Sequence, residues 1–386
     1  MESIRDVDVR GKKVIVRVDF NVPRDKKTGE ITDDTRIVAS LDTINYLVKN
    51  GAKVILLSHL GKVKSNEDKE KNSLGVVAER LRTLIDVPVY FTGDTRGHAV
   101  EAIVNNVLDG EIVLLENTRY EDFPKKLESS CDEALSKYWA SFGDIFVLEA
   151  FGSAHRCHAS TYGISKYLPS YAGFLVEKET KILNEVLQSS RTLIMGGSKI
   201  DEKIAVIENL IPTSDSLLVG GGMCFTFLKA MGYNIGKSLL SEEQIDYCKG
   251  LLERYGNKIV LPVDVVTQNG VKSVNELNDD DIGYDIGPKT VKLFQEVLSN
   301  SNMVLWNGPL GMYEEEAYAN GTKDVLEFLE QQDFKTILGG GNIVDAATQF
   351  GVNVHHKCTG GGSTLEYLGG ARFKTLSRLK GDKWKK

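Results

Sequence analysis

TLIMGGSKIDEK, residues 192–203, sets a short apolar run, a glycine pair and a helical stretch in immediate succession. Four apolar-rich residues are too few for a helix and read as a buried strand, and the residues after the glycines open a helix whose first amides lack intrahelical partners. The same order returns further on. Ser216 to Val219 runs into Gly220, Gly221 and Gly222, and Thr336 to Leu338 into Gly339, Gly340 and Gly341. Met303 to Trp306 is followed by Asn307, Gly308 and Pro309, and Gly360, Gly361 and Gly362 open one more helical stretch. Strand ends of bare backbone beside helix starts suit a flat polyanion such as a nucleotide.

The first half repeats the alternation with different ends. Strand-like runs at Val14 to Val18, Val54 to Leu57, Ile112 to Leu115 and Ile145 to Leu148 are separated by helical spacing, as at Thr35 to Val48 and Leu74 to Leu84. After these strands come Arg17, Asp19 and Asn21; His59 and Lys62; Arg119; and His155 and Arg156. Short apolar runs alternating with amphipathic helices predict parallel sheets covered on both faces. Further strands are predicted at Leu193 to Met195 and Ile259 to Val263.

The stretch AGFLVEKETKILNEVLQSS is long and amphipathic, and predicts a helix at a domain boundary. The fold class is therefore α/β, with two doubly wound, Rossmann-like parallel-sheet domains joined by a helical hinge, their facing strand ends forming a cleft. The divisions expected are 1–168, an interdomain helix over 169–190, 191–370, and a tail over 371–386. The basic tail reads as a solvated end, with a return to the first domain as the alternative.

Length agrees with two cores, since 386 residues exceed the usual single-core limit. A net charge of -7 argues against a nonspecific nucleic-acid binder. Five cysteines without a CxxC pair read as reduced thiols, and neither a leader nor a run of 18 apolar residues is evident, so a cytoplasmic, membrane-free protein is expected.

Arg17, Arg36, His59, Lys62, Arg119 and Arg156 form a cationic set suited to a small molecule carrying phosphate and carboxylate; each alone reads first as a surface or salt-bridge residue, and it is their recurrence after strands that favours binding. Lys199 and Lys203, four apart, would share a helical face at a phosphate, although this is no Walker loop. Glu314, beyond the strand that ends at Asn307, would accept from ribose hydroxyls or simply begin an exposed acidic helix. Phe225, Phe227 and Leu228 read as core rather than a base platform, whereas Ser363 and Thr364 would add hydroxyl donors at a phosphate or cap a plain turn. His155 and His158, like His355 and His356, lack a zinc pattern, and no nucleophile elbow surrounds Ser153.

With RVDFNVP, SHLG, LLENTRY, AFGSAHRCHAS, GGSKIDEKI, VGGGMCFTFLKAMG, DIGPKT, WNGPLGMYE and TGGGSTLEYL in this order, the chain resembles the phosphoglycerate kinase family over nearly its whole length. The resemblance implies reversible phosphoryl transfer between ATP and the carboxylate of 3-phosphoglycerate in glycolysis, with Mg2+, by a monomer acting on small molecules, its two domains closing about a hinge. It would place Asp19, Asn21, Arg36, His59, Lys62, Arg119 and Arg156 around the phosphoglycerate. Lys199, Lys203, Gly220, Gly221, Asn307, Glu314, Gly339, Gly340, Gly341, Asn342, Gly361, Gly362 and Ser363 would meet ATP or ADP, with Arg36 and Lys199 stabilising charge during transfer.

The chain departs from the family pattern at several positions. Asn342 and Ile343 stand where the family has an aspartate and a hydroxyl residue, leaving Asn342 a weak metal ligand acting through the nucleotide phosphates. Lys62 replaces an arginine, Thr118, Leu148 and Glu149 differ from the pattern, and the tail lacks an LPG turn. These changes leave open a kinase for another phospho- or phosphono-carboxylate, or a noncatalytic nucleotide binder.

Overall fold

β-branched and leucine side chains fill both faces of each main strand, so each strand must be buried on both sides, and parallel pairing beneath helices provides that. In the computed structural model, which describes residues 1–383, the first unit comprises Met1–Lys181 with the segment from Arg372 onward, and the second Ile182–Ala371. The first unit holds β1 (Lys13–Arg17), β2 (Lys53–Leu57), β3 (Val89–Phe91), β4 (Ile112–Leu114), β5 (Ile145–Leu148) and β6 (Ser170–Ala172). All pair in parallel in the order β3-β4-β2-β1-β5-β6, with Val14 opposite Val54 on one side and Ile145 on the other.

The second unit repeats this plan. β7 (Thr192–Met195), β8 (Ser216–Val219) and β9 (Ile259–Val260) precede a three-stranded antiparallel sheet of β10 (Asp264–Thr267), β11 (Gly270–Ser273) and β12 (Gly283–Ile286). β13 (Met303–Asn307), β14 (Lys335–Leu338) and β15 (His356–Lys357) complete a second six-stranded parallel sheet, ordered β15-β14-β13-β7-β8-β9. Both sheets are doubly wound α/β structures. Trp306, Phe294 and Ile343 are fully buried in the core of the second, and Phe20, Val16 and Ile37 in that of the first.

Several local expectations are corrected. The predicted helix over 35–48 is two, Thr35–Ala39 and Leu41–Lys49, broken where the Ser40 hydroxyl donates to the Ile37 carbonyl. The strand expected to reach Val263 stops at Val260, and β3, β6, β15 and the antiparallel sheet escaped the sequence pattern because they are short or mix polar and apolar residues. The tail is not a solvated end. Phe373, Thr375 and Leu379 are buried, the Thr375 hydroxyl donates to the Ala154 carbonyl, and Gly381 N donates to Ser170 O at 2.9 Å. Its last three residues lie outside the described chain.

The division between units falls inside the helix Phe174–Gln188. The start of that helix is held by Glu149, which follows β5: both carboxyl oxygens lie 3.2 Å from Leu175 N. Thr43 accepts from Phe174 N at 2.8 Å. Among the described residues, no helix is long and apolar enough to cross a membrane.

Candidate active site

Strand order decides which side chains meet. β4, β2, β1 and β5 are consecutive neighbours, and their C-terminal ends carry Arg119, His59 with Lys62, Arg17 with Asp19 and Asn21, and Arg156. Four segments distant in sequence thus bring the cationic set to one sheet edge, the place where open α/β sheets bind ligands. The Asp19 carboxylate accepts from Arg36 Nη1 at 2.9 Å, and Asn21 Oδ1 accepts from Gly61 N at 2.8 Å. Arg119 Nη1 donates to Asp122 at 2.6 Å, and Arg156 Nε donates to His155 Nε2 at 2.8 Å. Lys62 and Arg156 are exposed. A cavity of about 410 Å³ opens beside Lys62, Arg119, Phe123 and Lys126.

Deeper in this edge lie groups that sequence reasoning underused. The Arg17 guanidinium is buried, 3.1 Å from His59 Nδ1 and 2.8 Å from the Ser160 hydroxyl. Fully buried Asn117 receives Leu60 N at 3.1 Å and donates to the carbonyls of Leu60 at 2.7 Å and Asn72 at 2.8 Å, which shapes the loop bearing Lys62. Its position three residues beyond β4 was the available signal. Burial, together with Arg119, Arg17 and Arg156, depresses His158 to about 3.

In the second sheet, β14, β13, β7 and β8 are the consecutive neighbours, and they end in Gly339, Asn307-Gly308, Gly196 and Gly220. Some of these glycines serve the fold before any ligand. A Cβ on Gly196 would lie 2.2 Å from the Pro309 carbonyl, and one on Gly221, at φ +62°, 2.6 Å from Gly197 N. Gly341, Gly361 and Gly362 instead face open space. Lys203 is buried, and its Nζ donates to Asn307 Oδ1 at 2.6 Å, while Asn307 Nδ2 donates to the Gly339 carbonyl. One lysine thereby ties the ends of β7, β13 and β14 together, and burial lowers its pKa.

Two expectations change here and one holds. Lys199 and Lys203 share no helical face, because the chain bends through Ser198–Ile200 and turns helical only at Asp201, leaving Lys199 exposed ahead of the helix. Ser363 is buried and its hydroxyl donates to Gly360 O at 2.8 Å, so it is committed to its own turn. Phe225, Phe227 and Leu228 are core residues, as expected.

Helices begin at Gly341, after Gly340 at φ 119°, and at Gly362, after Gly361 at φ 56°, with Asn342 exposed on the first turn of the former. Their leading amides are oriented for anionic oxygens. Neither first turn contains an acidic residue, so these residues do not form a carboxylate site for a hard divalent ion. Glu314 is exposed beside Tyr313, whose hydroxyl donates to Asp345 at 2.8 Å and joins the Glu314 loop to the Gly341 helix.

The chain is similar to known proteins across nearly its full length. The family model described as phosphoglycerate kinase matches residues 4–371. A phosphoglycerate kinase of Enterococcus faecalis is 49% identical over 393 residues, covering 98% of each chain, and one of Lactobacillus delbrueckii subsp. bulgaricus is 48% identical over 395 residues, covering 97% of this chain and 98% of that one. The solved structure of phosphoglycerate kinase from Coxiella burnetii superposes with a TM-score of 0.86 at 33% identity over 98% of each chain. That from Pyrococcus horikoshii OT3 gives 0.86 at 28% identity, again over 98% of both. With its two sheet edges, cationic and glycine-lined, and this agreement across nearly its full length, the chain belongs to the phosphoglycerate kinase family.

Proposed function

We propose that the cationic edge of the first unit binds 3-phosphoglycerate and the glycine-lined edge of the second binds ATP or ADP. The chain is an enzyme, a phosphotransferase of glycolysis that moves a phosphoryl group reversibly between ATP and the carboxylate of 3-phosphoglycerate. The observation that supports this assignment of edges is the strand order, which gathers the cations at four neighbouring ends of one sheet and the glycines at four neighbouring ends of the other.

On this reading Arg119 and Arg156 receive the substrate phosphate and Arg36, held by Asp19, orients its carboxylate. The Gly341 and Gly362 helix starts accept the nucleotide phosphates, and Lys203 keeps Asn307 and Gly339 in place beneath them. Exposed Lys199 is free to follow the migrating phosphoryl group, while Glu314 takes the ribose. A carboxylate oxygen attacks the terminal phosphorus in line, so no protein nucleophile is required. Mg2+ would enter on the nucleotide phosphates, with Asn342 offering only a neutral oxygen. The protein is cytoplasmic and monomeric on the same reading.

A coupled assay with 3-phosphoglycerate, ATP and Mg2+ tests the proposal. Turnover lost in both Arg36→Ala and Lys199→Ala, with nucleotide affinity weakened only in the latter, is the expected result. Nucleotide affinity that depends on Arg36 and ignores Lys199 overturns the assignment of edges.

A further inference from the structure

We propose that a buried chain of contacts, Glu128 to Ser160 to Arg17, sets the tautomer of His59, so that His59 meets the acceptor as a neutral donor through Nε2–H. The donor role rests on the reading of this edge as the phosphoglycerate site; the tautomer does not.

The argument begins with what each group can do. A guanidinium has only donors and keeps its proton. Arg17 Nη2 lies 3.1 Å from His59 Nδ1, so Nδ1 must be the acceptor and the proton of a neutral ring sits on Nε2. Arg17 cannot swing away, being 1% exposed and anchored by its other nitrogens. Its Nε donates to Ser160 Oγ at 2.8 Å and its Nη1 to the Val18 carbonyl. The Ser160 hydroxyl, having accepted from Arg17, donates to Glu128, and Ser160 N donates to the second Glu128 oxygen at 2.9 Å. Glu128 is fully buried, and its charge draws on the Arg17 guanidinium more strongly than that of Asp19.

A second proton on His59, itself only 8% exposed, would set an N–H against the Arg17 N–H. The charged groups around the ring are Asp19 beyond β1, which favours the cation, and Arg17 on β1, Arg119 beyond β4 and Arg36 on the Thr35–Ala39 helix, which oppose it. Burial outweighs Asp19 and holds His59 down to about 3. His59 therefore stays neutral throughout the pH range in which an ordinary histidine titrates, and substrate binding acquires no histidine-linked loss as pH rises. Among so many cations, one neutral donor can bind a phosphate oxygen without adding to the repulsion within the empty edge.

The test uses the full chain labelled with 15N-histidine. Long-range 1H–15N correlation spectra, assigned with His59→Gln, should show a bare Nδ1 and a protonated Nε2 with no titration between about pH 5.5 and 8. A proton on Nδ1, or a midpoint near the usual value of about 6.5, overturns the tautomer assignment. In Ser160→Ala, which removes the hydroxyl's contacts to both Arg17 and Glu128 and keeps the main-chain bond to Glu128, the His59 signals should shift to a mixture of tautomers and KM for 3-phosphoglycerate should rise with kcat held, because Arg17 loses its orientation. Unchanged His59 signals there overturn the role of the relay. The donor role is read separately. Glutamine can put an amide where Nε2–H stands and asparagine cannot, so His59→Asn should raise KM about tenfold more than His59→Gln. Equal effects overturn the donor role, and an unaltered KM in both variants removes His59 from the acceptor site while leaving the tautomer result standing.

Discussion

Replacing Glu149 by glutamine should remove a large part of the pH dependence of stability in the first unit. Glu149 is fully buried at the start of the Phe174–Gln188 helix, where burial, against the hydrogen bonds from Thr43 and the Leu175 and Val176 amides, raises its carboxyl from 4.5 to about 8. The native state therefore binds this proton more tightly than the unfolded chain does. Its contribution to stability is complete below the unfolded value of 4.5 and is lost as pH rises through about 8. Within that window each pH unit costs about 1.4 kcal/mol, with a ceiling of roughly 5 kcal/mol across the whole of it. Glutamine keeps an oxygen for Leu175 N and has no proton to lose. Urea unfolding of wild type and Glu149→Gln should thus give a stability difference that moves in favour of glutamine by about 3 kcal/mol between about pH 5.5 and 7.5. Taking the difference cancels Asp285, which burial raises to about 7 and which contributes with the same sign. Parallel pH curves for the two proteins would show that Glu149 is ionised in the native state throughout, and the reasoning would fail.

Lys203→Met leaves Asn307 without its 2.6 Å partner in a buried site, so nucleotide affinity should fall by about 2 kcal/mol, roughly 30-fold, by calorimetry with ADP. Loss of kcat alone would point instead to direct action on the phosphoryl group. Asn342→Asp puts a carboxylate on the exposed first turn of the Gly341 helix, and half-saturation with Mg2+ at fixed ATP should drop several-fold; an unmoved Mg2+ curve would contradict the account of this position. Tyr313→Phe deletes the 2.8 Å bond to Asp345 and should raise KM for ATP by about 1 kcal/mol equivalent, with Asp345→Asn restoring most of the affinity lost in Asp345→Ala. A shift in melting temperature without change in KM would make that bond purely structural.

The alternation of strand and helix, the glycine or cationic character of each strand end, and the helix spanning 174–188 were all legible along the chain, because each depends on residues a few positions apart. Short edge strands, the antiparallel sheet and the break at Ser40 were not, since three or four mixed residues carry no periodicity. Lys199 shows the limit most plainly: its spacing to Lys203 means a shared face only if the helix has already begun, and backbone geometry begins it two residues later. Which strand ends stand side by side was decided by sheet order, as were the partners of the buried polar groups. Arg17 finds Ser160 across 143 positions and Lys203 finds Asn307 across 104, contacts no local pattern encodes. A buried charge must have a partner, but the strand order and the packing of the core choose which one.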